Sequence, residues 1–230
     1  MISFEQQLEL FKIVGMELKE KVECIAIGGN AMMFYGLKKA TKDVDLVFTN
    51  REDLNKVKKA LYDSGFEEKT NIKIFKNYET IDKKPVMMEG KETRFDLFCK
   101  EIICFKLSDT IIERVKKIYE FENLIIKVAS PEDIILLKSA TERAKDREDA
   151  FEIIKNYNVR WNTIIEEAMH QTELEKPLFV VFLYEFLLEL KEDFKADVPD
   201  NVLKTLLKMS EKEMIKRLKK KKSLNSKNLS

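Results

Sequence analysis

The segment Thr41-Lys42-Asp43-Val44-Asp45-Leu46-Val47-Phe48 constrains this chain more than any other. From Asp43 onward, acidic and apolar residues alternate at its start, the pattern of a β-strand with one apolar face. Asp43 and Asp45 then project from one face, and Val44 and Leu46 turn to the other. Two carboxylates side by side repel each other unless a cation offsets them. A fold that carries this strand must open its acidic face to a cleft, because a carboxylate pair buried against apolar packing would be very costly.

The rest of the chain says what surrounds that strand. Phe4, Leu8, Phe11 and Val14 recur at helical spacing between Phe4 and Lys19. Glu23 to Ile27 is a short apolar run ending in Gly28-Gly29, a buried strand meeting a tight turn, and Ala31 to Tyr35 suits a short helix. Asp53 to Ser64 places Leu54, Val57 and Leu61 on one helical face, with Gly65 as a stop signal. Ile72 to Phe75, Thr93 to Cys99 and Leu124 to Val128 read as further strands, with Gly90 marking a turn. Ser130-Pro131 then opens a helix, Ser as N-cap and Pro at the first helical position. Beyond it the pattern is helical almost throughout, with breaks near Asn156-Tyr157-Asn158, Pro177 and Pro199. Strands crowd the first half and helices the second, which predicts an α+β fold with a helical C-terminal part. The expected division is a core over residues 1–158 with its N-terminal helix, and a helical region over 159–230 with a lysine-rich tail.

Composition narrows the function classes. Across 230 residues, 42 basic side chains nearly cancel 41 acidic ones, so net charge gives no global argument for nucleic acid. The basic run Lys216, Arg217 and Lys219 to Lys222 is local and reads first as a solvated tail. Cys24, Cys99 and Cys104 are odd in number, lie among apolar neighbours and lack metal-ligand spacing. They are expected to be small buried residues in a reducing cytoplasm. His170 is the only histidine, which leaves a zinc site or a Ser-His-Asp triad unsupported. The most apolar stretch, Leu178 to Leu190, is interrupted by Glu185 and Glu189 and is too short to cross a bilayer. Its stripe of Phe179, Phe182, Leu183, Phe186, Leu187 and Leu190 reads as helical core. No signal peptide is expected, since Glu5, Glu9 and Lys12 break the first apolar run.

The chemistry is expected where Gly28-Gly29, Asp43 and Asp45 come together. A glycine pair between a strand and a short helix lets the backbone approach a phosphate closely. A hard cation such as magnesium is commonly held by one or two carboxylates plus substrate phosphates. In Arg94-Phe95-Asp96-Leu97-Phe98, Phe95 and Leu97 would face the core, so Asp96 faces the other way. If its strand lies beside the first, Asp96 completes a set of three carboxylates for two magnesium ions, or takes the proton of an attacking hydroxyl. Glu89 and Glu92 are the nearby alternatives for that third position.

These residues carry a family resemblance. Gly28-Gly29-Asn30-Ala31, then Tyr35-Gly36, then Lys39-Ala40-Thr41-Lys42-Asp43-Val44-Asp45 resembles the first motif of the minimal nucleotidyltransferases of the polymerase-beta-like superfamily, especially the branch of the AbiEii-type toxins. Ser130 to Lys138 followed by Arg143-Ala144-Lys145-Asp146-Arg147-Glu148-Asp149 resembles the family's C-terminal helical motif. The resemblance covers roughly residues 22–154 and implies a short mixed sheet flanked by helices. It implies metal binding by Asp43, Asp45 and Asp96, and a nucleotide site at Gly28, Gly29, Lys39, Thr41, Lys138 and Asp146. Lys39 stands where arginine is usual, which keeps the charge and loses the bidentate fork. On one helix, Leu137 and Lys138 would lie at its active-site end; the resemblance implies that Lys138 reaches substrate phosphates and that Asp146 helps to hold Lys138 or Arg143.

The implied reaction moves a nucleoside monophosphate from a nucleoside triphosphate to an acceptor hydroxyl on RNA, a protein or a small molecule, with magnesium. The alternative is a catalytically inactive nucleotide-binding protein, or a toxin–antitoxin component with an antitoxin partner. The acceptor is expected between the sheet and the C-terminal helices, with no membrane association.

Overall fold

A computed structural model describes residues 1–69, 85–141 and 143–227. In chain order, β1 (Ile2–Ser3) leads to α1 (Phe4–Glu17), β2 (Val22–Ile27), α2 (Gly28–Phe34), β3 (Ala40–Thr41), β4 (Asp43–Phe48) and α3 (Arg51–Asp63). There follow β5 (Glu67–Glu68), β6 (Val86–Glu89), β7 (Arg94–Cys99), β8 (Glu101–Ile102), β9 (Phe105–Lys106), α4 (Asp109–Arg114), β10 (Lys117–Phe121) and β11 (Leu124–Val128). The chain continues through α5 (Pro131–Ser139), α6 (Ala144–Asn156), α7 (Trp161–Glu173), α8 (Phe179–Glu192) and α9 (Asp200–Lys227). The expected strand at Ile72 to Phe75 lies outside the described residues.

The main sheet has seven described strands in the order β10-β11-β2-β4-β7-β6-β5. It is mixed: β11 pairs parallel with β2 and β4 parallel with β7, while β2 and β4 run antiparallel. The α+β expectation therefore holds, with a mixed sheet flanked by helices. Helices α1 and α3 cover the face carrying Phe95: the Phe11 and Phe95 rings lie 6.4 Å apart, and Phe66 meets Phe95 edge-on at 5.3 Å. Val44, Leu46, Phe95 and Leu97, all fully buried, share that face by strand alternation. Asp43, Asp45 and Asp96 are left on the opposite face, the one met by α2.

Local chemistry fixes the ends of these elements. Ser3 caps α1 through a complete capping box with Gln6. Asn50 accepts from the Asp53 N–H at the start of α3, and Ser130 accepts from the Asp133 N–H at the start of α5 with Pro131 in the first turn. Gly65, at φ +87°, ends the α3 turn in a conformation that side chains disfavour.

Gly15, inside α1, has a different role. A Cβ there would lie 1.9 Å from the Phe121 carbonyl oxygen, so the helix can touch the end of β10 only without a side chain. Glycine in a helix interior normally gains stability on conversion to alanine. Here we expect the reverse: Gly15→Ala should lower stability by about 2–3 kcal/mol, because a backbone oxygen cannot step aside. Urea unfolding of the two proteins checks this, and a stabilised variant would rule out the contact.

The described residues form two compact units, Met1–Thr141 and Glu142–Ser230. Helix α6 belongs to the second unit, whereas the sequence reading grouped it with the core. In that unit the expected apolar stripe is core at Phe179, Leu183, Phe186, Leu187 and Leu190, and Phe182 is exposed. Arg147 on α6 binds Glu189 on α8 at 2.9 Å. His170 lies on α7 and pairs with Glu173 at 3.3 Å. Among the described residues, no helix is long and apolar enough to cross a membrane. Of the three cysteines only Cys24 is buried, and Cys99 and Cys104 are half-buried. Burial, then the charges of Asp53 and Glu23, pushes the Cys24 thiol well above its ordinary range, so it stays protonated.

Candidate functional site

Register brings the expected carboxylates together. In the parallel pair of β4 and β7, Asp45 lies opposite Asp96 and Asp43 opposite Arg94. Thr93 Oγ1 donates to the Lys42 carbonyl at 2.8 Å and ties the starts of the two strands. Neighbouring strands are about 4.8 Å apart, so the three carboxylates occupy one small patch of the sheet. Glu89 pairs with Arg94 across β6, but its side chain is half exposed and 3.9 Å from Lys69. Asp96, not Glu89, is the acidic residue beside Asp45.

The glycine pair closes over this patch. Gly28 begins α2 with φ +61°, and a Cβ on it would stand 2.7 Å from Asp45 Oδ2. A Cβ on Gly29 would meet Thr41 Oγ1 at 2.9 Å and Lys38 Nζ at 3.5 Å. Thr41 in turn donates to the Asp43 carbonyl at 3.0 Å. Helix α2 has seven residues and so little macrodipole. What the turn offers an anion is close approach to backbone.

Three residues at the site were not singled out by sequence reasoning. Asn30, fully buried, accepts the Asp45 N–H at 3.2 Å, and its Nδ2 is a buried donor with no hydrogen-bond partner among the described residues. It locks the middle of β4 to α2, and its place directly after Gly28-Gly29 was the available signal. Lys38, half-buried, brings its ammonium to Gly29, while Lys39, the position named from the motif, is exposed.

Arg94 is the third. Its Nε and Nη2 donate to the two oxygens of Asp96 at 2.7 and 2.9 Å, and Nη2 lies 3.3 Å from Asp43 Oδ1. The i,i+2 spacing of Arg94 and Asp96 on a strand was the signal for it. Burial works against the guanidinium charge, but the Asp96 hydrogen bond and the charges of Asp96, Asp43 and Asp45 outweigh it and hold the group above its ordinary value.

The C-terminal motif falls on two helices, not one. Lys138 is buried near the end of α5, which packs on α2. Asp146 is buried in the first turn of α6 and binds Arg143 Nε at 2.8 Å, the Arg143 partnership expected of it. Between them the chain leaves the helix at Ala140-Thr141.

The residues can be tested against a magnesium ion. Asp43 and Asp45 supply two hard oxygen donors from one strand face, which is the donor chemistry such an ion takes. Asp96 has both oxygens on Arg94, and among the described residues no group of three or more His, Cys, Asp or Glu is placed to hold a metal. The donor set thus suits a single cation at Asp43 and Asp45.

Known proteins give a sequence match and coarser structural likenesses. No curated protein matches the chain. A crystal structure of a candidate nucleotidyltransferase from H. pylori is 19% identical, covers 94% of this chain and 95% of its own, and has a TM-score of 0.43. That of an antigenic nucleotidyltransferase-like protein from Paracoccidioides brasiliensis is 15% identical, covers 67% of this chain and 78% of its own, and has a TM-score of 0.38. The family described as "Nucleotidyltransferase of unknown function (DUF6036)" matches residues 8–179. That span holds the glycine turn, the carboxylate strands and both helices of the C-terminal motif, and by it the chain belongs to this nucleotidyltransferase family.

Proposed function

We propose that the protein transfers a nucleoside monophosphate from a nucleoside triphosphate to an acceptor hydroxyl, using Asp43, Asp45 and Asp96. The observation that carries this reading is the pairing of Asp45 with Asp96 on parallel neighbours, under a glycine whose missing side chain leaves room for Asp45. Magnesium would be held by Asp43 and Asp45, and when bound it supplies charge neutralisation and lowers the pKa of an attacking hydroxyl.

The chain's own residues bind and orient. Gly28 and Gly29 admit a phosphate to the backbone, with Lys38 and Thr41 beside it. Lys138, on the helix packed against α2, adds positive charge on the same side in this reading. The acceptor oxygen bonds to the α-phosphorus as the bond to pyrophosphate breaks, and positioning and charge neutralisation account for most of the rate. For Asp96 to accept the acceptor's proton, it must give up one of its Arg94 bonds. The acceptor is RNA, a protein or a small molecule. The AbiEii-like motif extends this reading to a toxin with an antitoxin partner.

The test is an acceptor screen: purified protein with each labelled triphosphate, magnesium, and pooled tRNA, protein or small-molecule acceptors. Label should pass to one class. Triphosphate binding without transfer to any of them would favour the inactive nucleotide-binding reading, which the engagement of Asp96 by Arg94 supports.

Gly28→Ala should act on activity more than on stability. The left-handed backbone at φ +61° costs alanine about 1–2 kcal/mol. The added Cβ also meets a carboxylate end that can rotate away, displacing Asp45 from its position. Transfer should fall by more than about tenfold, since a misplacement on the order of 1 Å costs that much or more. Parallel urea melts and rate measurements separate the two effects, and an unchanged rate would remove Gly28 from the site.

A further inference from the structure

The transferase reading leaves Arg94 without a role, although it meets two carboxylates of the patch, Asp96 and Asp43. Strand alternation puts Arg94 and Asp96 on one face, and register sets Arg94 opposite Asp43. The guanidinium forks onto both oxygens of Asp96 at 2.7 and 2.9 Å and reaches Asp43 at 3.3 Å. A planar fork matches a carboxylate in geometry as a lysine cannot, and it tolerates partial burial because guanidinium is weakly hydrated. The Asp96 side chain is 12% exposed and that of Arg94 31%, so water screens this pair less than a surface pair. Glu89, the acidic residue facing Arg94 from β6, is half exposed and 3.9 Å from Lys69, whereas Arg94 donates through Nε and Nη2 to Asp96.

We propose that Arg94 takes the place of a second cation: the protein binds one divalent ion through Asp43 and Asp45, and Asp96 holds Arg94 instead of ligating metal. This rests on the proposed function only in taking Asp43 and Asp45 as a cation site. Arg94 is thereby a positioning residue. It fixes the Asp96 carboxylate and keeps one positive charge on the patch that never dissociates, since arginine stays protonated.

The test is a manganese titration of the full chain without nucleotide, with free ion followed by electron paramagnetic resonance. Wild type and Asp96→Asn should each bind one ion, and no ion on wild type would overturn the proposal. Arg94→Gln should release Asp96 and gain one ion, lost again when Asp96→Asn is added. Two ions on wild type with one lost in Asp96→Asn would overturn the proposal, as would no gain in Arg94→Gln. Should Arg94→Gln not fold, the comparison of wild type with Asp96→Asn decides alone. No label transfer beside these ion counts rejects the transferase reading and leaves Arg94 in its place. Transfer beside two wild-type ions does the opposite.

Discussion

Replacing Asp45 with asparagine should lower label transfer by on the order of a thousandfold, with little change in thermal stability. Asp45 is where the site's constraints meet: Asp96 lies opposite it, the Gly28 turn sits against its Oδ2, and Asn30 accepts its N–H. Asparagine keeps the size and the strand, so those packing relations persist. It removes the negative charge that a bound cation needs. Charge stabilisation at such a position is worth several kcal/mol, and each 1.36 kcal/mol is about a factor of ten in rate. Initial rates with the acceptor found by screening measure the loss, and thermal melts control for folding. A variant within tenfold of wild type would take Asp45 out of the machinery.

The largest stability effect is expected at Arg114. Its Nη2 lies 2.5 Å from Asp133 Oδ1 and its Nε 3.2 Å away, and Asp133 has no exposed side-chain surface. Ser130 Oγ also donates to Asp133, at 2.6 Å. Asp133 thus anchors the first turn of α5 to the end of α4. Arg114→Ala would leave a buried carboxylate without its cation, which costs about 3–5 kcal/mol. Removing both charges should cost less than removing one, so Arg114→Met with Asp133→Asn should recover part of the loss. Urea unfolding of wild type and the two variants measures this. Equal losses in the single and double variants would show that the pair does not act as a unit.

What could be read from the sequence followed from period and punctuation. The alternation in Asp43 to Phe48 gave a strand whose faces differ as expected, and Ser130-Pro131 gave a capped helix start. The two-residue strands β1, β3, β5, β8 and β9 are too short to show any period. Strand β10 was missed because it is an edge: Lys117, Tyr119 and Phe121 are only half-buried, so its alternation is faint. The end of α5 was missed because Ser139-Ala140-Thr141 carries neither Gly nor Pro. At the site, neighbouring carboxylates suggested metal alone, because a sequence shows which residues share a face but not which partner each one takes. The reach of Arg94 to Asp43 depends on β7 lying parallel beside β4, a tertiary fact.

The pairing of β2 with β11 also bears on how the chain is made. Val22 to Ala26 align with Leu124 to Val128, so one flank of the interior strand β2 waits for residues synthesised about a hundred positions later. Until then β2 has only β4 as a partner, and its other side offers unpaired backbone flanked by apolar Val22, Cys24 and Ile25. Long-range parallel pairing is slow to form, and an open strand edge is a template for pairing with other chains. The strand that ends at the glycine turn is therefore the last to be enclosed during biosynthesis, and nascent chains that stop before Leu124 carry the greatest risk of aggregation.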